Sequence, residues 1–172
     1  MKVSLLVLGE APPRLAADLL VRLTAPFSGG EVVLGTLPLA TCFDRQRVQL
    51  DALRLLETIP APADGWSTLA VTGADLFLPA LAYVFGLSAL GSRRGVVSWA
   101  RLAAEETGLH AGEVLLRRLT IEAAHELGHG LGLLHCVVPD CAMHRSLWPE
   151  AVDLKKPDYC PTCLEGLALA VG

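Results

Sequence analysis

Three histidines and one glutamate stand close together in this 172-residue chain, in an order that suits metal chemistry. His125 and His129 are four residues apart, so in a helix of ~3.6 residues per turn both side chains lie on one face. Two imidazoles placed in this way can bind the same ion. Glu126 is rotated about 100° from His125, which puts its carboxylate beside that ion and not on it. The pattern predicts two metal ligands and a general base.

The residues after this predicted helix supply a third ligand. Continued helix would carry His135 out of reach, whereas a glycine at position 132 can adopt the left-handed conformation that ends a helix and turns the chain back. Three imidazoles leave the fourth position of a zinc ion open to water, as catalytic zinc sites require. HExxH alone also occurs by chance in ordinary helices, but HExxHxxGxxH is typical of the metzincin peptidases.

Four cysteines follow within residues 136–163 as two close pairs. They are Cys136, Cys141, Cys160 and Cys163. The spacing C-x4-C and then C-x2-C resembles a structural zinc site with four thiolates. Disulfides and unrelated buried thiols are the alternatives. Disulfides need an oxidising compartment, and the apolar run at residues 3–8 is too short for a secretory signal, so we expect a cytoplasmic protein with a second zinc ion.

The adjacency of His135 and Cys136 has a geometric consequence. Successive side chains of an extended backbone point to opposite sides, so one residue can face the catalytic ion and the next the structural ion. The second ion would then anchor the third catalytic ligand. Cys42 lies far upstream and is expected to be a small core residue.

The complete pattern resembles the archaemetzincins, a metzincin-like family of metallopeptidases with a second, cysteine-bound zinc. The motifs are HExxHxxGxxH, an immediately following cysteine, C-x4-C-x-M and a later CxxC, all within residues 121–163. The resemblance implies that His125, His129 and His135 bind catalytic zinc, that Glu126 is the general base and that the four cysteines bind structural zinc. It places Met143 in a turn beneath the histidines, without contact to the metal.

Composition predicts one compact domain over residues 1–172, and the order of elements fits an α/β fold. The resemblance implies a metzincin-like domain with a mixed twisted sheet, an active-site helix and a zinc-held C-terminal segment. Hydrophobic residues make up 52% of the chain, which is enough for one core. The formal net charge of −4 indicates no surface for nucleic acid, and no apolar run is long enough to span a membrane. Oligomeric state is left open.

Apolar patterning gives the order of the expected elements. We expect strands at residues 2–8, 32–37, 67–72, 83–89 and 96–102, and helices at about 13–23, 50–58 and 112–131. Residues 76–90 are expected to be buried loop and strand, and residues 91–95 form a hairpin-like turn between the last two strands.

The expected function is hydrolysis of peptide bonds in a peptide or protein substrate, with Glu126 taking a proton from the attacking water. The resemblance makes residues 85–90 the candidate edge for an extended substrate, although an ordinary core strand with Phe85 packed inside explains them equally well. His144 could approach a zinc ion or the substrate. Two other functions stay open: a zinc-binding interaction module with a vestigial peptidase site, and a zinc hydrolase of a non-peptide substrate.

Overall fold

A computed structural model describes residues 1–23, 25–27, 29–103 and 109–171 of the chain. Its elements in chain order are β1 (Lys2–Leu8), α1 (Leu15–Arg22), β2 (Gly30–Gly35), α2 (Leu39–Cys42), β3 (Phe43–Asp44), β4 (Gln49–Asp51), α3 (Ala52–Thr58), β5 (Trp66–Thr72), β6 (Leu76–Leu78), β7 (Leu81–Val84), β8 (Gly86–Ala89), β9 (Arg94–Ser98), α4 (Leu109–Gly130), α5 (Pro149–Val152) and α6 (Pro161–Val171). None of the described helices is both long and apolar enough to cross a membrane.

The larger sheet has five strands in the order β2-β1-β5-β9-β8. The first four are parallel, and β8 lies antiparallel to β9 at one edge. Alternate side chains of β5 enter different cores: Leu69 and Val71 pack with helices α1 and α4, and Ala70 packs with α3 on the opposite face. Helices therefore cover both faces of the sheet, which confirms the predicted α/β architecture with a mixed sheet.

A second sheet of four strands, in the order β3-β4-β6-β7, was not predicted. The expectation of a single strand at 83–89 is wrong, since Val84 pairs with Leu76 in the second sheet and Gly86 pairs with Val97 in the first. The chain changes sheets at Phe85, whose side chain is buried. Residues 76–90 thus hold three strands, β6, β7 and β8, because each short apolar run pairs with a different strand.

Three other expected boundaries are also corrected. The strand expected at 32–37 is β2 at Gly30–Gly35. It is an edge strand, and its apolar side chains are largely exposed and do not belong to the core. The helix expected at 50–58 begins at Ala52, because the Asp51 carboxylate accepts hydrogen bonds from the Leu53 and Arg54 amides and caps it. The strand expected at 96–102 is β9, which ends at Ser98.

The long helix α4 is tied at its end to the turn between β8 and β9. The amide of Gly91 donates to the carbonyl of His129 at 3.0 Å, and the amide of Arg93 donates to the carbonyl of Gly130 at 2.8 Å. These bonds satisfy two of the carbonyls that a helix leaves open at its C-terminus. The predicted hairpin turn is confirmed, and it also fixes the helix that carries the histidines.

Candidate active site

The structure brings the three histidines together at the end of α4. The Nε2 atoms of His125 and His129 lie 3.0 Å apart, and the ring of His135 is centred 5.3 Å from the ring of His125 and 4.9 Å from that of His129. One nitrogen of each residue lies within 4.8 Å of the others. Gly132 has a φ of +96°, so the predicted left-handed turn is confirmed as the feature that folds the third histidine back.

The hydrogen bonds of these rings show how well they fit a metal ion. Nδ1 of His125 lies 2.8 Å from the carbonyl oxygen of Ala142, and Nδ1 of His129 lies 2.7 Å from that of Leu133. A carbonyl only accepts, so each Nδ1 carries the proton and each Nε2 carries a lone pair. Two lone pairs facing each other at 3.0 Å repel unless a cation binds both. Burial also lowers the pKa of all three imidazoles, which favours the neutral form that binds zinc.

Glu126 lies beside the histidines and is buried in the wall of the same cavity. Burial raises the pKa of this carboxyl group to about 8, and the nearby Ser88 hydroxyl opposes only part of that rise. Its Oε2 accepts no hydrogen bond from the described residues. A divalent cation beside the group would favour its ionised form. The carboxyl group therefore lines the cavity with no described residue competing for its second oxygen.

Gly86 allows β8 to pass directly against Glu126. A Cβ atom on Gly86 would meet Cγ of Glu126 and the carbonyl oxygen of Val96, each at 2.6 Å. Real Cβ atoms do not approach other atoms so closely, so a side chain here would force the strand or the carboxylate to move. Sequence reasoning missed this residue, since the contact joins two segments that are 40 positions apart.

The cavity in front of these residues has a volume of about 640 Å³. Strands β7 and β8 form one wall, and the histidines, Arg145 and Leu147 form much of the rest. The expected substrate edge at residues 85–90 therefore lines the cavity. Phe85 is packed inside, as the alternative interpretation held, while the strand that follows it is an edge strand.

The four predicted cysteines form a second cluster. Sγ atoms of Cys136 and Cys160 are 3.7 Å apart, and those of Cys141 and Cys163 are 3.8 Å apart. Zn–S bonds of ~2.3 Å in a tetrahedron require sulfur atoms about 3.8 Å apart, whereas a disulfide needs ~2.05 Å. All four thiols are free, and the backbone amides of Val138 and Cys160 point at sulfur atoms 3.4 Å away. The geometry fits four thiolates around one zinc ion. Cys42 is a separate, buried core residue.

Met143 and Tyr159 pack against the helix that carries the histidines. Met143 is fully buried, and its Sδ occupies the space that a side chain at Gly128 would need. Nδ1 of His144 lies 3.0 Å from the carbonyl oxygen of Cys136, and His144 is not among the residues that line the cavity. Tyr159, which sequence reasoning left without a role, donates from its hydroxyl to the carbonyl of Ala124 at 2.6 Å.

Sequence reasoning also missed a buried ion pair behind the site. Nζ of Lys155 lies 2.8 Å from Oε1 of Glu122, and both side chains are buried. Burial raises the pKa of Glu122, and Lys155 opposes that rise. The helical spacing could have indicated Glu122, which precedes Glu126 by one turn. Nothing in the sequence separates Lys155 from a solvent-exposed lysine such as Lys156.

Comparisons with known proteins agree with this geometry. Residues 58–168 match peptidase family M54. The archaemetzincin of Halobacterium salinarum is 33% identical over 168 residues, which cover 95% of this chain and 97% of that protein. The crystal structure of archaemetzincin from Methanopyrus kandleri has a TM-score of 0.85 at 30% identity and covers 99% of this chain and 95% of that one. The malonate complex of archaemetzincin from Archaeoglobus fulgidus has a TM-score of 0.83 at 28% identity, covering 96% and 99%.

The fold, the histidine cluster and these matches together define a zinc-dependent metallopeptidase. Its described residues contain two groups that can hold metal ions, one of histidines and one of cysteines. The chain belongs to peptidase family M54, the archaemetzincins. The resemblance drawn from the motifs and the predicted peptidase activity are confirmed. The sequence left two alternative functions open, an interaction module and a hydrolase of non-peptide substrates. Membership of a peptidase family favours neither of them.

Proposed function

We propose that residues 1–172 form one peptidase domain in which two zinc ions have separate roles. His125, His129 and His135 hold the catalytic ion, and the four cysteines hold the structural ion. One observation carries the first assignment: the Nε2 atoms of His125 and His129 lie 3.0 Å apart with their lone pairs facing each other. A carbonyl oxygen next to each Nδ1 holds the proton on that nitrogen and so leaves Nε2 free. The sulfur spacings of 3.7 and 3.8 Å support the second assignment.

Glu126 is the general base in this proposal. When bound, zinc supplies a Lewis acid that polarises the scissile carbonyl and lowers the pKa of a water toward ~7. The carboxylate of Glu126, which lines the cavity, takes a proton from the attacking water and later returns it to the leaving amine. Contact with Gly86 restricts the movement of this side chain, so the carboxylate stays directed at the cavity.

The edge of β8 is the proposed binding site for an extended peptide. The amide of Ser98 donates to the carbonyl of Phe85 at 2.7 Å, and Leu87 lies opposite Val96. In an antiparallel pair, hydrogen-bonded positions alternate with outward-facing ones, so the backbone groups of Gly86 and Ser88 point away from β9. A substrate strand can bond to them and lie across the histidine site. We also propose a cytoplasmic location, which the five free cysteines support.

Zinc analysis together with a peptide-library assay tests this proposal. We expect two zinc ions per chain, cleavage of peptides in the library, and loss of cleavage after the chelator 1,10-phenanthroline. Readdition of zinc should restore activity. His129→Ala should leave one zinc ion per chain. Two ions in that variant would contradict the ligand assignment, and cleavage that persists in the zinc-free protein would contradict the mechanism.

A side chain at Gly86 should damage catalysis. Gly86→Ala forces Glu126 or β8 to shift, and misplacement of a catalytic group by about 1 Å can cost ~10²-fold in rate. We expect kcat to fall by about that factor in steady-state kinetics. Gly112→Ala is the matched control, because a Cβ there meets nothing within 4 Å. Equal kcat in the two variants would show that the close contact is unimportant.

A further inference from the structure

Lys155 is a fully buried lysine whose ammonium group has a complete set of acceptors. Its Nζ donates to Oε1 of Glu122 at 2.8 Å, to the carbonyl of His144 at 3.0 Å and to the carbonyl of Ala142 at 3.3 Å. A lysine ammonium has three N–H groups, so each has one partner. None is left to serve substrate or to move a proton, which excludes a direct role for Lys155 in the reaction.

The three acceptors belong to the two parts of the chain that form the histidine site. Glu122 lies on α4, one turn before Glu126 on the same helix. Ala142 and His144 flank Met143 in the loop beneath the histidines. The carbonyl of Ala142 also faces Nδ1 of His125 at 2.8 Å, and its two lone pairs can serve both donors. The ammonium of Lys155 thus binds the same oxygen that orients the first histidine.

An ion pair at this depth is poorly explained by stability alone. Charges taken out of water lose their hydration, and replacement of a buried pair by apolar residues of similar volume is often neutral or stabilising. Lys155 also binds two loop carbonyls that no apolar side chain could bind. Groups that hydrogen-bond metal ligands from behind commonly change metal affinity by ~10–100-fold.

We infer that Lys155 is a positioning residue of the peptidase site, which fixes the carbonyl of Ala142 so that His125 presents Nε2 to the catalytic zinc. The inference rests on the proposed function, because it takes His125 as a zinc ligand. Loss of the ammonium frees the loop carbonyl and lets the imidazole rotate. Zinc binding at the histidines should weaken, while the cysteine cluster, held by its own four thiols, keeps its ion.

The test measures zinc affinity separately at the two sites. Cobalt(II) substitution distinguishes them by absorption spectroscopy, since only the cysteine site gives thiolate charge-transfer bands, and competition with a chelator then gives the zinc affinity of each site. Lys155→Met should bind zinc at the histidines about 10–100-fold more weakly, with the cysteine site unchanged. Lys156→Met is the matched control, because that neighbouring lysine is exposed and pairs with Asp140 at the surface.

The double variant Glu122→Leu/Lys155→Met separates positioning from simple stability. It removes both charges together, so no unpaired charge stays buried and the fold is expected to persist. The freed carbonyl of Ala142 should still leave the histidine site 10–100-fold weaker. Wild-type affinity at the histidines in the double variant, or an equal loss at both zinc sites in the single variant, would overturn the inference. A wild-type chain with no zinc at the histidines would instead refute the proposed ligand set.

Discussion

Replacement of Glu126 by glutamine is expected to lower kcat by about 10³-fold while both zinc ions stay bound. Glutamine has nearly the same shape but cannot accept the proton of the attacking water, and general-base catalysis typically contributes ~10²–10⁴-fold. The buried site should accept the uncharged amide, because burial already raises the pKa of this carboxyl group to about 8. Peptide hydrolysis and elemental analysis on the same preparation measure both effects.

Glu165→Gln is the control for this result, since Glu165 is exposed on α6 and does not line the cavity. It should keep full activity and both ions. Undiminished kcat in Glu126→Gln would exclude Glu126 as the base. Loss of one zinc ion in that variant would show instead that the carboxylate is a ligand, in conflict with its position beside the histidines.

Replacement of Cys163 by serine is expected to release the structural zinc and destabilise the whole enzyme. Structural zinc commonly supplies an apparent ~10–16 kcal/mol of binding energy, and a domain is stable by only ~5–15 kcal/mol. Even a partial loss of about 3–5 kcal/mol should lower Tm by about 6–20 °C, as measured by differential scanning calorimetry. The histidine site should also bind zinc more weakly, because His135 directly precedes Cys136.

Cys42→Ser provides the matched control, because it removes a thiol that is buried outside the zinc cluster. That variant should keep two zinc ions per chain even though it places a hydroxyl group in an apolar core. Two zinc ions and an unchanged Tm in Cys163→Ser would show that the cysteine cluster does not hold a structural metal.

The two clusters that can hold metal ions could be predicted from the sequence because short-range geometry places their residues. Helical spacing joins His125 to His129, and the turn at Gly132 follows from the freedom of glycine at positive φ. The cysteines of each pair are likewise close in sequence, so their spacing alone indicates a shared metal ion. These features depend on few residues and little on the rest of the fold.

The supporting residues could not be predicted, because they depend on contacts between distant segments. Lys155 reaches Glu122 across 33 positions, and its sequence context is that of a surface lysine. The change of sheets at Phe85 is similarly hidden, since the apolar run is continuous and only the partner strands differ. The start of α3 was misplaced because the side-chain hydrogen bonds of Asp51 decide it.

Two hydrogen bonds join Gly91 and Arg93 to the end of α4, so the hairpin is attached directly to the helix that carries the histidines. A peptide aligned along β8 would therefore be positioned by the same backbone that carries His125 and His129. The bond presented for cleavage would be set by the register of the peptide main chain. Mutations of cavity side chains should then alter which sequences bind well, while the point of cleavage along a bound peptide stays the same.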